Sequence, residues 1–198
     1  MKFLAIDTSG ARLTLVAVNG DTVVKQRGEA CAQMHSVKLM GEIERVLALA
    51  HLTAQECDFF ACTVGPGSFT GIRIGIATVK GLCLACEKKA VSVTSLDAIA
   101  YAETGNRVAL IDALHGNYYA CAYGAETEPP EFMTGEQVNA YLARGFAPLS
   151  AAELEIPSKC TDTAEGLYRA VLAKQNERAD ARDLTALYLR KSSAEEQR

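Results

Sequence analysis

The amino-terminal hydrophobic pattern predicts three short β-strands joined by tight connections. Residues 2–7 form a short apolar run without a strand breaker, and residues 13–18 are rich in apolar and β-branched side chains. Asn19-Gly20 follows, and this dipeptide is typical of a hairpin turn because both residues tolerate positive φ. Residues 22–28 then return as a third strand. The pattern therefore predicts an antiparallel meander.

Helical and strand patterns alternate through the rest of the chain. Apolar residues recur at helical spacing over residues 34–50, as at Leu39, Ile43 and Val46, so we expect a helix there. A buried strand at 58–64 leads into a glycine-rich segment. The further predicted elements are strands at 90–93, 107–112 and 118–123, and helices at 71–88, after Ser95, and at 134–143, 163–174 and 181–190. This alternation predicts an α/β protein.

Composition and charge exclude several classes of protein. A chain of 198 residues with 49% hydrophobic and 22% charged residues is too apolar for a disordered chain and long enough to bury a core. The net charge of −4 argues against a protein that binds nucleic acid by itself. Residues 1–99 carry ten basic and nine acidic groups, whereas residues 100–198 carry ten and fifteen. The second half is therefore the more solvated one.

Cysteine content and the amino terminus predict a cytoplasmic protein. The seven cysteines are an odd number and lie mostly in apolar runs, which indicates free thiols in a reducing compartment. The first apolar run ends at Asp7, too early for a signal peptide. We expect no stretch to approach the roughly 18 apolar residues of a membrane span, so no membrane association is predicted.

The glycine-rich segment Gly65-Pro66-Gly67-Ser68-Phe69-Thr70-Gly71 is the most specific feature. A strand, a glycine turn and a helix N-terminus together can bind an anion, which makes Gly67 and Ser68 candidate cofactor-binding residues. The segment is neither a Walker A loop, nor a dinucleotide fingerprint, nor a nucleophile elbow, because its spacing differs from all three. A structural tight turn is the alternative, and the sequence favours it.

Asp7 is the third candidate cofactor-binding residue because it ends a strand ahead of a Thr-Ser-Gly turn. Its carboxylate would either hold a metal-bound phosphate or bond backbone N–H groups in an Asx turn. Asp112 ends a strand of the second half in the same way. One such acid in each half suggests two related lobes facing a cleft. We place the first lobe at residues 1–99 and the second at 100–180, with a carboxy-terminal helix at about 181–198 packing back on the first.

The predicted helix at 71–88 carries an apolar stripe and a set of small residues. Such a helix either is buried on both sides within its own domain or presents one face to a partner. For the second alternative, the candidate partner interface comprises Gly71, Gly75, Thr78, Ile74 and Leu82.

No metal site and no catalytic residue are predicted. Cys83-x-x-Cys86 lacks the second ligand pair that zinc requires and falls on the apolar stripe, so buried free thiols are the better interpretation. None of His35, His51 and His115 has a histidine four residues later, as a helix-borne metal pair would require.

Taken together, these motifs resemble the bacterial TsaB (YeaZ) family. The matching residues are Ala5-Ile6-Asp7-Thr8-Ser9, His35-Ser36, the glycine segment extended through Ile72-Arg73-Ile74-Gly75, Ser95-Leu96, Asp112-Ala113 and Leu187-Tyr188-Leu189-Arg190. The resemblance is close over the first hundred residues and looser beyond them. It departs from the family at Leu114, where the family often has arginine.

The resemblance implies an actin-like ATPase (ASKHA, ribonuclease-H-like) fold with two related lobes, the second one shortened. It implies a cytoplasmic, non-catalytic subunit in making N6-threonylcarbamoyladenosine (t6A) at position 37 of tRNA. The implied partners are the catalytic paralogue TsaD, the ATPase TsaE and, for the isolated chain, a second copy, with tRNA contacted only indirectly. No cofactor of its own is implied, with ATP or ADP as the candidate ligand at an interface of the complex. The paralogue's histidine pair is reduced to His35 and Leu39.

Two other functions remain open at this point. Asp7, Asp112 and the glycine segment would also suit an independent ATPase or small-molecule kinase of the same fold. A peptidase, suggested by the family's older glycoprotease label, finds no metal pair, nucleophile elbow or triad in the sequence.

Overall fold

Two five-stranded sheets and the helices around them form the part of the protein that the structure, a computed structural model, describes. That part comprises residues 1–30 and 35–190, with the side chains of residues 29, 30 and 35–37 left aside. Cys31, Met34 at the predicted start of the first helix, the side chains of the His35-Ser36 motif and the carboxy-terminal residues 191–198 therefore lie outside the description.

The first sheet is built on the predicted meander. Its three amino-terminal strands pair antiparallel, and two later strands add in parallel beside the first one. In the order β3-β2-β1-β4-β5, the strands are β1 (Lys2–Asp7), β2 (Arg12–Asn19), β3 (Thr22–Ala30), β4 (Phe59–Thr63) and β5 (Lys89–Val93).

Helices cover both faces of the first sheet, which explains why its strands are continuous apolar runs. Leu4 and its neighbours on one face pack against α1 (His35–Leu49) and α2 (Phe69–Cys86). Phe3 and its neighbours on the other face pack against α5 (Thr163–Lys174). The division at residues 99 and 180 therefore assigns α5 to the second lobe, although its apolar stripe is buried on the first sheet.

The second sheet repeats the topology of the first. An antiparallel meander of three strands is again extended by two parallel ones, in the order β10-β9-β6-β7-β8. The strands are β6 (Arg107–Asp112), β7 (Asn117–Tyr123), β8 (Glu131–Thr134), β9 (Ala147–Ser150) and β10 (Lys159–Cys160).

The second lobe is shortened by one helix. Helix α4 (Gly135–Ala143) follows the third strand of the second sheet, as α1 follows the third strand of the first. Between β4 and β5 the first lobe has α2, whereas the equivalent connection at residues 151–158 contains no helix. The expected actin-like architecture with a trimmed second lobe is therefore confirmed.

A buried polar junction connects the two lobes at α3 (Ser95–Ala100), whose residues are all buried. The Asp97 carboxylate accepts hydrogen bonds from the Thr94 N–H (2.7 Å), the Tyr123 hydroxyl (2.9 Å) and the Lys174 ammonium (2.7 Å). Because these donors lie ahead of α3, in β7 and at the end of α5, one carboxylate links both sheets. Pairing of this kind is what makes burial of a charge tolerable.

The prediction of a helix over residues 181–190 is wrong. A three-residue 3-10 turn, Ala181–Asp183, forms instead, and an irregular segment follows it. Leu184 is buried in the first core, and the Leu187 N–H donates to the Val64 carbonyl (2.7 Å). The physical reason is that a short isolated helix is marginal in water, whereas this segment obtains burial and a backbone hydrogen bond from the first lobe.

The expectation that no segment approaches a membrane span also needs correction. Among the described residues, α2 is long and apolar enough to cross a membrane, with 18 residues and a mean hydropathy of 1.4. In this fold α2 is a packed helix, since 39% of it is buried and Ile72, Ile76 and Val79 lie in the first core.

The contact between α5 and α3 predicts a sharp response to substitution at Gly166. A Cβ there would stand 1.8 Å from the Ala98 carbonyl oxygen. Gly166→Ala should therefore lower the free energy of unfolding by about 2–3 kcal/mol, because the helices must separate. Gly81→Ala is the matched control, since a Cβ at Gly81 meets nothing within 4 Å, and it should stabilise by up to about 1 kcal/mol. Urea unfolding measures both, and equal shifts would contradict this packing.

Candidate functional site

A cleft lies between the lobes, where β1 and β6 end. Its inner part, about 350 Å³, is lined by Asp7, Gly67, Ser95 and Asp112. Its outer part, about 710 Å³, is lined by the glycine segment, the β6–β7 turn and residues 187–190. The structure thus brings the two strand-end acids and the glycine segment to one cleft.

The Asp7 carboxylate is committed to hydrogen bonds inside the protein. Its Oδ1 accepts from the Ser9 N–H (2.8 Å), the Ser9 hydroxyl (2.6 Å) and the Thr63 hydroxyl (2.7 Å), and Asp7 is only 7% exposed. The Ser9 N–H bond is the Asx turn that the sequence offered as the alternative to a phosphate site. Asp7 therefore joins the ends of β1 and β4.

A chain of hydroxyl groups extends this bonding across the cleft floor. The Ser95 hydroxyl donates to the Ser9 hydroxyl (2.7 Å), and the Ser95 N–H donates to the Gly65 carbonyl (2.9 Å). Sequence reasoning missed three of these hydroxyl residues as site candidates, namely Ser9, Thr63 and Ser95. The available signal was that each lies at or just after the carboxyl end of an apolar strand, where polar side chains of neighbouring strands meet.

The glycine segment is bonded to the β1–β2 turn. The Ser68 N–H donates to the Ser9 carbonyl (2.7 Å), and the Ser68 hydroxyl accepts from the Gly71 N–H (3.2 Å), which caps α2. Gly67 has φ +152°, and a Cβ there would stand 2.5 Å from the Ser9 carbonyl oxygen. Because the Ser68 N–H already donates to the Ser9 carbonyl, it is not available to an anion. This geometry favours a structural turn over an anion-binding loop.

Gly71 and Gly75 pack inside the chain and do not belong to a partner interface. A Cβ at Gly71 would stand 2.0 Å from the Thr8 carbonyl oxygen, and one at Gly75 would stand 2.5 Å from the Thr8 hydroxyl. Both glycines are buried. They are small because the turn after β1 lies directly against α2, so the sequence-based interface assignment is corrected at these two positions.

The part of α2 that faces away from the sheet carries small and apolar residues, and we call it the outer α2 face. Leu84, at one edge of this face, is 84% exposed. The other candidate interface residues, Ile74, Thr78 and Leu82, are half-buried along its edge. The outer α2 face comprises Ile74, Ala77, Thr78, Gly81, Leu82, Leu84 and Ala85. On α1, which also covers this side of the sheet, Met40 and Leu49 are exposed as well.

No three His, Cys, Asp or Glu residues in the described ranges 1–30 and 35–190 are grouped to hold a metal ion. Cys83 and Cys86 are buried on α2, and burial raises the pKa of the Cys83 thiol to about 11. His51 and His115 lie exposed on separate turns.

Two lobes of one repeated sheet topology around a cleft define the actin-like ATPase class of proteins. Within it, the family model described as "TsaD: tRNA N6-adenosine threonylcarbamoyltransferase" matches residues 18–143. The Escherichia coli protein named "tRNA threonylcarbamoyladenosine biosynthesis protein TsaB" is 30% identical over 211 residues, covering 86% of this chain and 91% of its own. A Bacillus subtilis protein of the same name is 32% identical over 100 residues, covering 50% and 44%.

The solved structures agree with the fold. The solved structure described as "YeaZ from Pseudomonas aeruginosa" superimposes with a TM-score of 0.75 at 22% identity, covering 95% of this chain and 99% of that one. The chain belongs to the TsaB (YeaZ) family, as the resemblance indicated.

The bonding of Asp7 predicts a graded effect of its substitution. Asp7→Ala should lower the free energy of unfolding by about 2–4 kcal/mol, because a charged acceptor is removed from three buried donors. Asp7→Asn should lower it less, since the amide oxygen still accepts. Asp112→Asn, at an exposed strand end, is the matched control and should change it by less than about 0.5 kcal/mol. Equal stability of all three variants in urea unfolding would contradict a structural role for Asp7.

The buried cysteines predict an order of thiol reactivity. Burial raises the pKa of Cys57 and Cys62 to about 12 and that of Cys83 and Cys121 to about 11, so these thiols stay protonated at pH 8. Since the thiolate is the nucleophile, Ellman's reagent should label exposed Cys160 well before them, and labelling of the buried thiols should rise with pH and with urea. Rapid labelling of Cys83 at pH 8, located by peptide mass spectrometry, would contradict this.

Proposed function

We propose that this chain is a non-catalytic partner subunit in forming t6A at position 37 of tRNA, and that it binds the catalytic paralogue TsaD through the outer α2 face. Family membership supports the pathway, because relatives carry the name tRNA threonylcarbamoyladenosine biosynthesis protein. The observation that carries the binding role is the exposed apolar face of a core helix, on which Leu84 is the most exposed large side chain.

The shape of the outer α2 face suits a helical partner. Ala77, Gly81 and Ala85 are small and exposed, so a second helix can approach the α2 backbone closely while Leu84 inserts into it. Contiguous exposed apolar surface on a water-soluble domain is typical of an interaction site.

We also propose that the isolated chain pairs with a second copy of itself through the outer α2 face. Heterodimer and homodimer then exclude each other, because both cover Leu84.

We further propose that the chain works in the cytoplasm, that TsaE joins the pair formed with TsaD, and that tRNA is held mainly by these partners. The net charge of −4 supports an indirect role toward tRNA.

The bonding at the cleft supports a subunit without chemistry of its own. ATP or ADP was expected only at an interface of the complex, and the residues present do not fit a phosphate held by the glycine segment. The Ser68 N–H donates to Ser9, and the Asp7 carboxylate accepts three internal hydrogen bonds. We therefore assign no nucleotide-dependent step to this chain.

An independent ATPase or kinase is the second candidate function, favoured by the position of Asp7 and Asp112 on one cleft. Titration of the isolated protein with Mg-ATP separates the two functions. Our proposal expects no saturable binding at millimolar nucleotide and no turnover. Tight binding with release of ADP by the isolated chain would favour the second candidate instead.

The partner role predicts that Leu84→Glu weakens binding to the TsaD subunit by at least about tenfold, because an unpaired carboxylate would be buried in the contact. Titration calorimetry measures the affinity, and sedimentation of the isolated chain reports the homodimer. The thermal midpoint, measured at a chain concentration at which both proteins are monomeric, should stay unchanged, because Leu84 is 84% exposed in the single chain.

Ala125→Glu is the matched control, since it adds the same charge at an exposed loop of the second lobe. It should bind TsaD as the unsubstituted chain does. Gly75→Leu is unsuitable here, because the new side chain would strike Thr8 inside the same chain. Unchanged affinity of Leu84→Glu would overturn the proposed interface.

A further inference from the structure

Helix α3 supplies side chains to the hydrophobic cores of both lobes. Ala98 packs among apolar residues of the first sheet and α5. Leu96, Ile99 and Ala100 pack in a different cluster, together with residues of β6, β7 and β9 of the second sheet. All six residues of α3 are buried. Since a helix of six residues is too short to be stable in water by itself, α3 depends on both lobes for its conformation.

The first lobe holds α3 through two of its elements. The Ser95 hydroxyl, at the first residue of α3, donates to the Ser9 hydroxyl in the β1–β2 turn (2.7 Å). Helix α5, which packs on the first sheet, approaches α3 so closely that a Cβ on Gly166 would stand 1.8 Å from the Ala98 carbonyl oxygen. Helix α3 therefore has no room to shift toward α5.

The second lobe holds the other end of α3 by hydrogen bonds. The Arg107 Nε, on β6, donates to the Ala100 carbonyl (2.7 Å), and the Thr161 hydroxyl, directly after β10, donates to the Ile99 carbonyl (3.3 Å). Both acceptors lie in the last turn of α3, where helix carbonyl groups lack partners inside the helix. Side chains of the second lobe therefore complete the hydrogen bonding of α3.

The two oxygen atoms of the Asp97 carboxylate are bonded to different lobes. Oδ1 accepts from the Tyr123 hydroxyl on β7 (2.9 Å), and Oδ2 accepts from the Lys174 ammonium at the end of α5 (2.7 Å). Burial and the charge of Asp97 raise the pKa of Tyr123 well above its usual range, so this hydroxyl stays a donor. Rotation of one lobe relative to the other breaks one of these bonds and leaves a buried polar group unpaired.

We propose that α3 and the Asp97 carboxylate form a lock that holds the two lobes in one relative orientation and thereby fixes the width of the cleft. Rotation of the second lobe has to break the hydrogen bonds on one side of α3 and to open one of the two cores that α3 shares. Packed cores resist such movement, because they change between discrete arrangements and do not deform continuously. This inference does not depend on the partner role.

The distance between one spin label on each lobe, measured by double electron–electron resonance in the full chain, tests the lock. The labels are attached at Ala48→Cys on α1 and Ala140→Cys on α4, which are exposed helical positions. Cys31→Ser and Cys160→Ser prevent labelling elsewhere, and an excess of unlabelled chain removes distances between paired copies. The chain with its lock intact should give one narrow distance distribution.

Tyr123→Phe releases Asp97 from the second lobe, and Lys174→Met releases it from α5. Each variant should broaden the distance distribution, because the lobes can then rotate about α3. Lys25→Met is the matched control, since it also removes an ion pair of α5, with Glu165, but one that lies within the first lobe. It should leave the distribution as narrow as in the unsubstituted chain.

Circular dichroism establishes that each variant is folded, so that a broader distribution reports rotation of the lobes. Tyr123→Phe decides the test if Lys174→Met fails to fold, since it loses only a hydroxyl group. Unchanged widths in the folded Tyr123→Phe and Lys174→Met variants would overturn the proposal. A broad distribution in the chain with its lock intact, or an equal broadening by Lys25→Met, would overturn it as well.

Discussion

The buried carboxylate of Asp7 is the constraint on which the rest of the first lobe depends. A carboxylate removed from water destabilises a fold unless donors surround it, and here one oxygen accepts from Ser9 twice and from Thr63 once. Through the Ser9 hydroxyl the bonding continues to Ser95, at the start of the helix between the lobes. One acid thereby fixes the ends of two strands and the junction of the lobes relative to one another.

This constraint accounts for the glycine motif in structural terms. The turn that Asp7 organises lies against the glycine segment and α2 so closely that Gly67, Gly71 and Gly75 have no room for a side chain. Gly65 is constrained from the other side by the Leu187 backbone, since a Cβ on Gly65 would stand 2.7 Å from the Leu187 carbonyl oxygen. The residues that the sequence offered as a cofactor site therefore form hydrogen bonds and packing contacts inside the protein. The surface left over for interaction is the outer α2 face, on the far side of the same helix.

Elements with a strong local pattern could be predicted from the sequence. The meander of β1 to β3 and the helix α5 have regular apolar spacing and clear turns, and their positions agree with the structure. β8, β9 and β10 were missed because they have two to four residues each and are partly exposed, so no alternation is visible. The segment after Asp183 was predicted as part of a helix, whereas its backbone bonds to Val64, which is distant in sequence.

The candidate site depends on contacts between elements that are distant in sequence, which a local pattern does not contain. A sequence reveals that α2 has small residues, but not which of them the β1–β2 turn contacts. Gly71 and Gly75 were therefore named as candidate interface residues, with burial inside the domain as the open alternative. In the same way, the alternatives for Asp7 differ only in which donors surround it in space, and Ser9 and Thr63 come from different strands.

Formation of t6A on a tRNA transcript, measured by nucleoside mass spectrometry, tests the central claim of a non-catalytic partner most directly. Purified TsaD and TsaE, with the threonylcarbamoyl donor, are incubated with and without this chain. The account predicts modification only when the chain is present together with TsaD, and none from the chain and donor without TsaD. Equal modification in its absence, or modification by the chain without TsaD, would contradict the account.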